Sequence, residues 1–352
     1  MDLKRCDRTR YPEFLRKLHE AFDYRPKEWF QKNLTNCTPY PDFATDEEIA
    51  NHLLCVEGGE IIGGLGAYPA DWAVSDIYGN RATVGAYGIG QVFCVAKHRN
   101  RGVMTALMNE TERHMRSQDR TVGFLGGDRH RYGHFGYGFG VNSVRYEFRK
   151  TRFLQSKDAA GLVVRQAGAN DIDELNEMYD TLPSRILRDA RAWERQMKRH
   201  NFKWAIALLD GKKACAAYET PERVAELCGD LDAAAALLAH LFGQCGTDKL
   251  TVSHPMQNGI NSEIGRMLHD NASMIAVEST GLVSIIDAWG LLEKMPRILD
   301  EIPVTLKDLA PDRRTELARR LFGYAHRPLP ECARGLEKTA PLCAFISEAD
   351  HI

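Results

Sequence analysis

Two short stretches of this sequence concentrate side chains able to do chemistry. From Lys97 to Gly102 the chain reads KHRNRG, three permanent cations and a glycine in one turn. An apolar stretch, VFCVA from Val92, precedes it, and an apolar-periodic stretch to Ser117 follows, so the turn should join a strand to a helix. A helix cannot satisfy its first N–H groups itself, and they carry the positive end of its dipole. A phosphate fits at such an end. Gly102 would let the backbone approach an anion closely, Arg99 and Arg101 would add charge-assisted donors, and the bend suits a pyrophosphate. Taken alone, these residues are equally compatible with a solvated basic helix start. The pattern is neither a Rossmann fingerprint nor a P-loop, since G-x-G-x-x-G and G-K-[ST] are both missing. The second stretch, RHRYGHFGYGFG from Arg129, is aromatic and glycine-rich. Phe135, Tyr137 and Phe139 read as packing residues, and His130 and His134 as solvated members of a basic loop.

The elements that must position these residues can be read on both sides. Apolar residues at helical spacing run from Pro12 to Leu34, and two strands joined by Glu57-Gly58-Gly59-Glu60 follow. RATVGAYGIGQVFCVA continues as a long strand or a strand pair, Gly102 to Ser117 is an amphipathic helix, and Thr121 to Gly127 is a short buried strand bounded by glycines. A polar linker, RKTRFLQSKDAAG, leads to a second round of the same plan. Its parts are the strand and helix of LVVRQAGANDIDELNEMYDTL, a hairpin about Asp210-Gly211, the strand RVAELCG, the helix DLDAAAALLAHLF and the strand KLTVSHP. An internal repeat of this length predicts two similar α/β domains and a tail from about Leu282.

Composition excludes several classes. At 352 residues and 44% hydrophobic content the chain can bury two domain-sized cores. A net charge of -2 gives no global attraction to nucleic acid, so any anion site is local. The nine cysteines are scattered without a CxxC pair and are odd in number, which suits reduced thiols in a cytosol and gives no zinc site. The N-terminus is charged, and the longest apolar run, Ala233 to Phe242, is too short to span a bilayer. These features predict a soluble, cytoplasmic protein with no membrane partner and no metal.

In this order, strand VFCVA, loop KHRNRGV, helix MTALMNETERHM, buried strand and RYGHFGYG, the chain resembles the GNAT acyltransferase superfamily. The loop is similar to the superfamily's R/Q-x-x-G-x-G/A acyl-CoA motif. Two tandem acyltransferase-like domains, with HRNRG, RYGHFGYG, VSIIDAWGLLEKM and LFGYAHR, resemble more narrowly the enhanced intracellular survival (Eis) family of N-acetyltransferases. Ala96 departs from a common proline, Met104 replaces the motif's last small residue, and the tail is shorter than the family's sterol-carrier-like third domain.

The resemblance implies an α/β (α+β) fold: two tandem GNAT-like domains with mixed, mostly antiparallel sheets flanked by helices, plus a short C-terminal α/β unit like a truncated sterol-carrier domain. The expected divisions are 1–155, a catalytic domain with the acyl-CoA site; 156–281, a degenerate copy; and 282–352, a short region packing on both. It implies acetyl-CoA as co-substrate, an amine of a small molecule, peptide or protein as acceptor, and a homo-oligomer. Backbone groups at Val92 and Cys94 would hold the pantetheine arm as an added strand does. The amides of Arg99, Asn100, Arg101, Gly102 and Val103 would cradle the pyrophosphate, and Tyr132 falls at the family's general-acid tyrosine. A phenol near pKa 10 can protonate a departing thiolate whose thiol has a pKa of about 8.5. Cys94 reads as an inert small hydrophobe. A non-catalytic acyl-CoA-binding or sensing protein is the alternative, and a lipid carrier is suggested by the tail alone.

The second repeat has no R-x-x-G, and its corresponding helix starts with Asp230 and Asp232, which would repel a pyrophosphate. The loop from Tyr68 to Asn80 is expected to shape acceptor specificity. In the tail, APDRRTELARRLFGYA reads as an amphipathic helix whose arginine run is a solvated face. The resemblance also offers the C-terminal carboxylate, with Glu348 and Asp350 nearby, as an aid to deprotonating the acceptor.

Overall fold

The computed structural model describes residues 1–22, 44–75, 80–150, 160–198, 202–256, 262–294 and 310–322. The first half runs β1 (Asp2–Arg5), α1 (Tyr11–Ala21), α2 (Asp46–Ala50), β2 (His52–Glu57), β3 (Glu60–Ser75), β4 (Arg81–Cys94), α3 (Val103–Ser117), β5 (Val122–Leu125), α4 (Arg129–Tyr132) and β6 (Gly138–Arg149). The second runs β7 (Val163–Gln166), α5 (Ile172–Tyr179), β8 (Arg185–Ile186), α6 (Ala190–Lys198), β9 (Lys203–Leu209), β10 (Lys212–Thr220), β11 (Arg223–Gly229), α7 (Leu231–Gln244) and β12 (Lys249–Pro255). Then come α8 (Glu263–Asn271), β13 (Met274–Ile285), α9 (Ala288–Glu293) and α10 (Pro311–Leu321). Both expected hairpins form, β2–β3 and β9–β10. Of the helix expected from Pro12 to Leu34, α1 accounts for the part to Ala21, and residues 23–43 lie outside the described ones.

All thirteen described strands join one sheet, in the order β1-β2-β3-β4-β5-β13-β6-β12-β11-β10-β9-β7, with β8 on β3. Only β4–β5 and β11–β12 are parallel, one such pair in each half. The pairing is otherwise antiparallel, as expected of the fold. β13 lies between β5 and β6, pairing Leu282–Ile285 with β5 and Met274–Val283 with β6. A late strand thereby completes the sheet of the first half.

The helices cover both faces because each has an apolar stripe. α3 buries Val103, Leu107, Met108, Thr111 and Met115 at helical spacing on the face formed by Leu65, Tyr87, Ile89 and Leu125. On the opposite face α1 places Phe14 and Leu18 against Ile49 and Phe93, and α10 places Leu317, Ala318 and Leu321 beside Trp72 and Phe124. The tail helix is therefore part of the first half's core. Its arginine run is not wholly solvated as expected: Arg314 is buried and donates to both carboxylate oxygens of Glu112 on α3, at 2.8 and 3.1 Å.

Candidate active site

The site begins where two parallel strands part. β4 and β5 pair from Ala86↔Val122 to Ile89↔Leu125 and no further. β4 continues to Cys94, still paired with β3 through Gly90↔Gly66, Phe93↔Gly64 and Cys94↔Gly63. A register shift between Gly64 and Gly66 marks a bulge here, and Gln91 sits at it with φ 56°. Among the described residues no strand pairs with the β5 side of 90–94. Val92 and Cys94 lie along this open arm, half-buried against the α3 face. A polyamide chain can add to such an edge through main-chain hydrogen bonds. The Cys94 thiol, 3.6 Å from the Val95 carbonyl, is pushed up by burial more than Arg99 and Arg101 pull it down. It stays protonated and is a poor nucleophile.

Beyond Val95 the backbone turns through Ala96–His98, and Asn100 and Gly102 both adopt left-handed φ, 61° and 76°. Gly102 immediately precedes α3, where a Cβ would meet open space, so the glycine answers to backbone conformation and not to crowding. The start of α3 has no side-chain cap and no acidic residue in its first turn. Its first N–H groups face an exposed loop. Of the two arginines, Arg99 is exposed, while Arg101 donates to both oxygens of Glu57 at 2.9 Å and lies 2.8 Å from His98 Nδ1. Arg101 is thus committed through its side chain to the β2–β3 hairpin, which fixes the loop and leaves its backbone N–H for an anion. The corresponding helix of the second half is different. Asp230 caps α7 by accepting from Asp232 and Ala233 N–H, at 2.9 and 3.4 Å, and Lys212 engages Asp232. That helix end is already occupied.

Tyr132 closes the other arm of the fork. Past Leu125 the chain runs through Gly126 and Gly127, and Asp128 caps α4 by accepting from His130 N–H at 2.8 Å. A Cβ on Gly127 would lie 2.8 Å from Tyr132 Cε2, so the missing side chain lets the ring lie on the backbone. Tyr132 is 7% exposed and makes an edge contact with buried Tyr137 at 6.4 Å. Desolvation raises its pKa, with Arg131 opposing and Asp128 adding, so at neutral pH the phenol keeps its proton. His130 and His134 are exposed, and Phe139 is 39% exposed rather than packed inside, with Arg129 5.6 Å over its ring.

Behind the bulge lies a polar cluster that sequence reading passed over. Tyr68 Oη is 2.9 Å from His52 Nε2 and 2.8 Å from the Gln91 carboxamide, and His52 Nδ1 is 2.9 Å from the Ile49 carbonyl. One signal for it was a glutamine inside the apolar run GIGQVFC. The expected specificity loop is strand over residues 68–75, which belong to β3 and pair with β4, and residues 76–79 lie outside the described residues, as do the C-terminal carboxylate, Glu348 and Asp350.

Residues 2–140 match the family model described as Acetyltransferase (GNAT) domain. This first part of the chain is thus similar to a GNAT acetyltransferase domain. Solved structures agree in fold with most of its length. A GCN5-related N-acetyltransferase from Kribbella flavida is 18% identical, with a TM-score of 0.64 over 83% of this chain and 73% of that one. A conserved protein from Enterococcus faecalis V583, described as a probable N-acyltransferase, is 16% identical, with a TM-score of 0.63 over 83% and 74%. Eis1 from Mycobacterium abscessus is 17% identical, with a TM-score of 0.57 over 82% and 74%. No curated protein sequence matches this one. The matched residues end near the start of β6, so β13 and α10 complete the first half's sheet and core from outside them. No helix among the described residues is long and apolar enough to cross a membrane.

Proposed function

We propose that this protein is an acetyl-CoA-dependent N-acetyltransferase acting on an amine of a small molecule, peptide or protein. One observation carries the reading: the fork between β4 and β5 has an uncapped helix start on one arm and a protonated phenol on the other. The pantetheine amides pair along Val92 and Cys94, and the pyrophosphate rests on the N–H groups from Arg99 to Val103 with the Arg99 guanidinium beside it. The neutral amine attacks the thioester carbonyl carbon. The C–N bond forms, the C–S bond breaks, the thiolate takes the Tyr132 proton, and the amine proton leaves to solvent. The acyl-CoA site belongs to residues 1–155, whose sheet and core are completed by β13 and α10, and residues 156–281 are the copy without a pyrophosphate site, apart from the part of β13 they contain. The reading includes a cytoplasmic location, for which the scattered, odd cysteine set speaks, and a homo-oligomer, which rests on the family likeness.

The test is thiol release from acetyl-CoA with phenethylamine, spermidine and a lysine-containing peptide. Tyr132→Phe should lower kcat by about 100-fold, the lower range for general acid–base catalysis, with acetyl-CoA affinity within a few-fold. Equal turnover would remove Tyr132 from the mechanism. Acetyl-CoA binding without turnover of any amine by the wild type would favour a sensor.

A further inference from the structure

Gln91 combines two features. It is a non-glycine residue in the left-handed region, an unfavourable conformation for any residue with a Cβ. It also stands at the point where β4 leaves β5, two residues beyond Ile89, as Gly127 under the Tyr132 ring stands two beyond Leu125. Gln91 and Tyr132 therefore sit at equal depth on the two arms of the fork. They belong to opposite faces of the sheet. Tyr132 packs with the α3 cluster, whereas Gln91 meets Tyr68, whose partner His52 packs against Tyr11 and Phe14 on the α1 face.

The carboxamide is held from behind by a chain of hydrogen bonds, and its orientation follows from proton bookkeeping. His52 is fully buried between aromatic rings, which holds the imidazole neutral, and its Nδ1–H donates to the Ile49 carbonyl. Nε2 then offers only a lone pair, so the groups turned toward His52, the Tyr68 hydroxyl and the Gln91 carboxamide, both face it as donors. The phenol oxygen is left as an acceptor, and the carboxamide must meet it with its NH2, a half-turn about the last side-chain bond. The carbonyl oxygen of Gln91 is the end that remains for a ligand.

We propose that Gln91 orients the acceptor amine, its carboxamide oxygen taking an N–H of the incoming nucleophile from the α1 face, with Tyr68 and His52 as positioning residues. This rests on the acetyltransferase reading above. A neutral oxygen at this point turns the nitrogen lone pair toward the thioester carbonyl, while Tyr132 waits on the opposite face for the thiolate. The class of ligand is an uncharged primary amine presenting two N–H groups, one held by Gln91 and one lost in the reaction.

The experiment uses the full chain with acetyl-CoA and the best of the three amines named above. Gln91→Leu keeps shape and removes the oxygen, and should raise the amine KM at least tenfold while the acetyl-CoA KM and its calorimetric affinity stay within twofold. Gln91→Glu restores an acceptor oxygen but not the donor to Tyr68, and should bring the amine KM back only to the three- to tenfold range expected of Tyr68→Phe. Tyr68→Phe removes the support without touching the amine and should raise the amine KM three- to tenfold. An unchanged amine KM in Gln91→Leu and Tyr68→Phe would overturn the inference, as would a parallel rise of both KM values, which would mean that the fork itself had been disturbed. Failure of the acetyltransferase reading looks different: the wild type would then release no thiol with any amine.

Discussion

At the residue scale, the polar groups that the fold buries matter most, because their protonation is set by their surroundings. His52 and His254 are both buried and neutral, with pKa values lowered to about 4 by desolvation from 6.5. In the unfolded chain each would titrate near 6.5, so the unfolded state binds more protons over the window between 6.5 and 4. Stability from these two groups is complete above pH 6.5 and falls as pH drops through that window. At 1.36 kcal/mol per unit, each costs about 2 kcal/mol by pH 5. Together that is a large part of the roughly 5–15 kcal/mol typical of a folded domain. The urea midpoint should fall clearly from pH 7 to pH 5 in the wild type, and His52→Asn, which does not titrate, should show a smaller fall. A midpoint independent of pH would refute this account. Neither histidine stood out in the sequence. A lone histidine in an apolar strand acquires meaning only from its neighbours across the sheet, here Tyr68 at 2.9 Å, sixteen residues away.

At the element scale, the strand–loop–helix unit was the most legible part of the chain, since it is local: an apolar run, a glycine at the helix start and an amphipathic repeat fall in one continuous stretch. What could not be read was which cations remain for a ligand. Arg101 is forty-four residues from Glu57, and their pairing depends on how the β2–β3 hairpin lies beside the loop. The buried Arg314, likewise, is 202 residues from Glu112. Such pairs are set by tertiary placement, to which periodicity is blind. For Gly102 the structure sharpens the expectation. A side chain there meets no protein atom within 4 Å, so substitution costs only the left-handed backbone, about 1 kcal/mol for alanine. Gly102→Ala should weaken acetyl-CoA binding by less than about tenfold, in line with that strain. Gly102→Glu adds a negative charge at the uncapped start of α3, and calorimetry should detect no binding. Wild-type affinity in the glutamate variant would place the anion site elsewhere. A loss in alanine as large as in glutamate would mean that backbone geometry, not charge, governs the cradle.

At the scale of the whole molecule, the repeat was legible but the way its halves share one sheet was not. Each half has one parallel pair of strands and a helix between them, and that local grammar was readable. The exchange of β13 was not, because its apolar pattern suits any neighbouring strand of the right register. Its position has a consequence for autonomy. β13 contributes Val283 and Ile285 to the core under Trp72 and Phe124, and α10 adds Leu317, Ala318 and Leu321 to the same cluster. The two halves meet also at Glu48, which caps the start of α2 with Thr45 and accepts from Arg191 and Arg195 of α6 at 3.2 and 2.7 Å. Desolvation works against that carboxylate's charge, but the hydrogen bonds from Arg191, Thr45 and Arg195 outweigh it and its pKa is lowered. This contact steadies α2, whose Ile49 carbonyl holds His52. A fragment of residues 1–155 would therefore lack the strand between β5 and β6, leaving two rows of backbone groups unpaired beside an open core, and would lose the clamp on α2. Such a fragment should be insoluble, or collapsed without fixed packing, whereas the full chain should lose near- and far-ultraviolet dichroism in one coincident transition. A soluble fragment with dispersed amide resonances and full affinity for acetyl-CoA would show that the first half needs neither β13 nor α10. The shared sheet would then be an association of two finished domains, not one fold built from two copies.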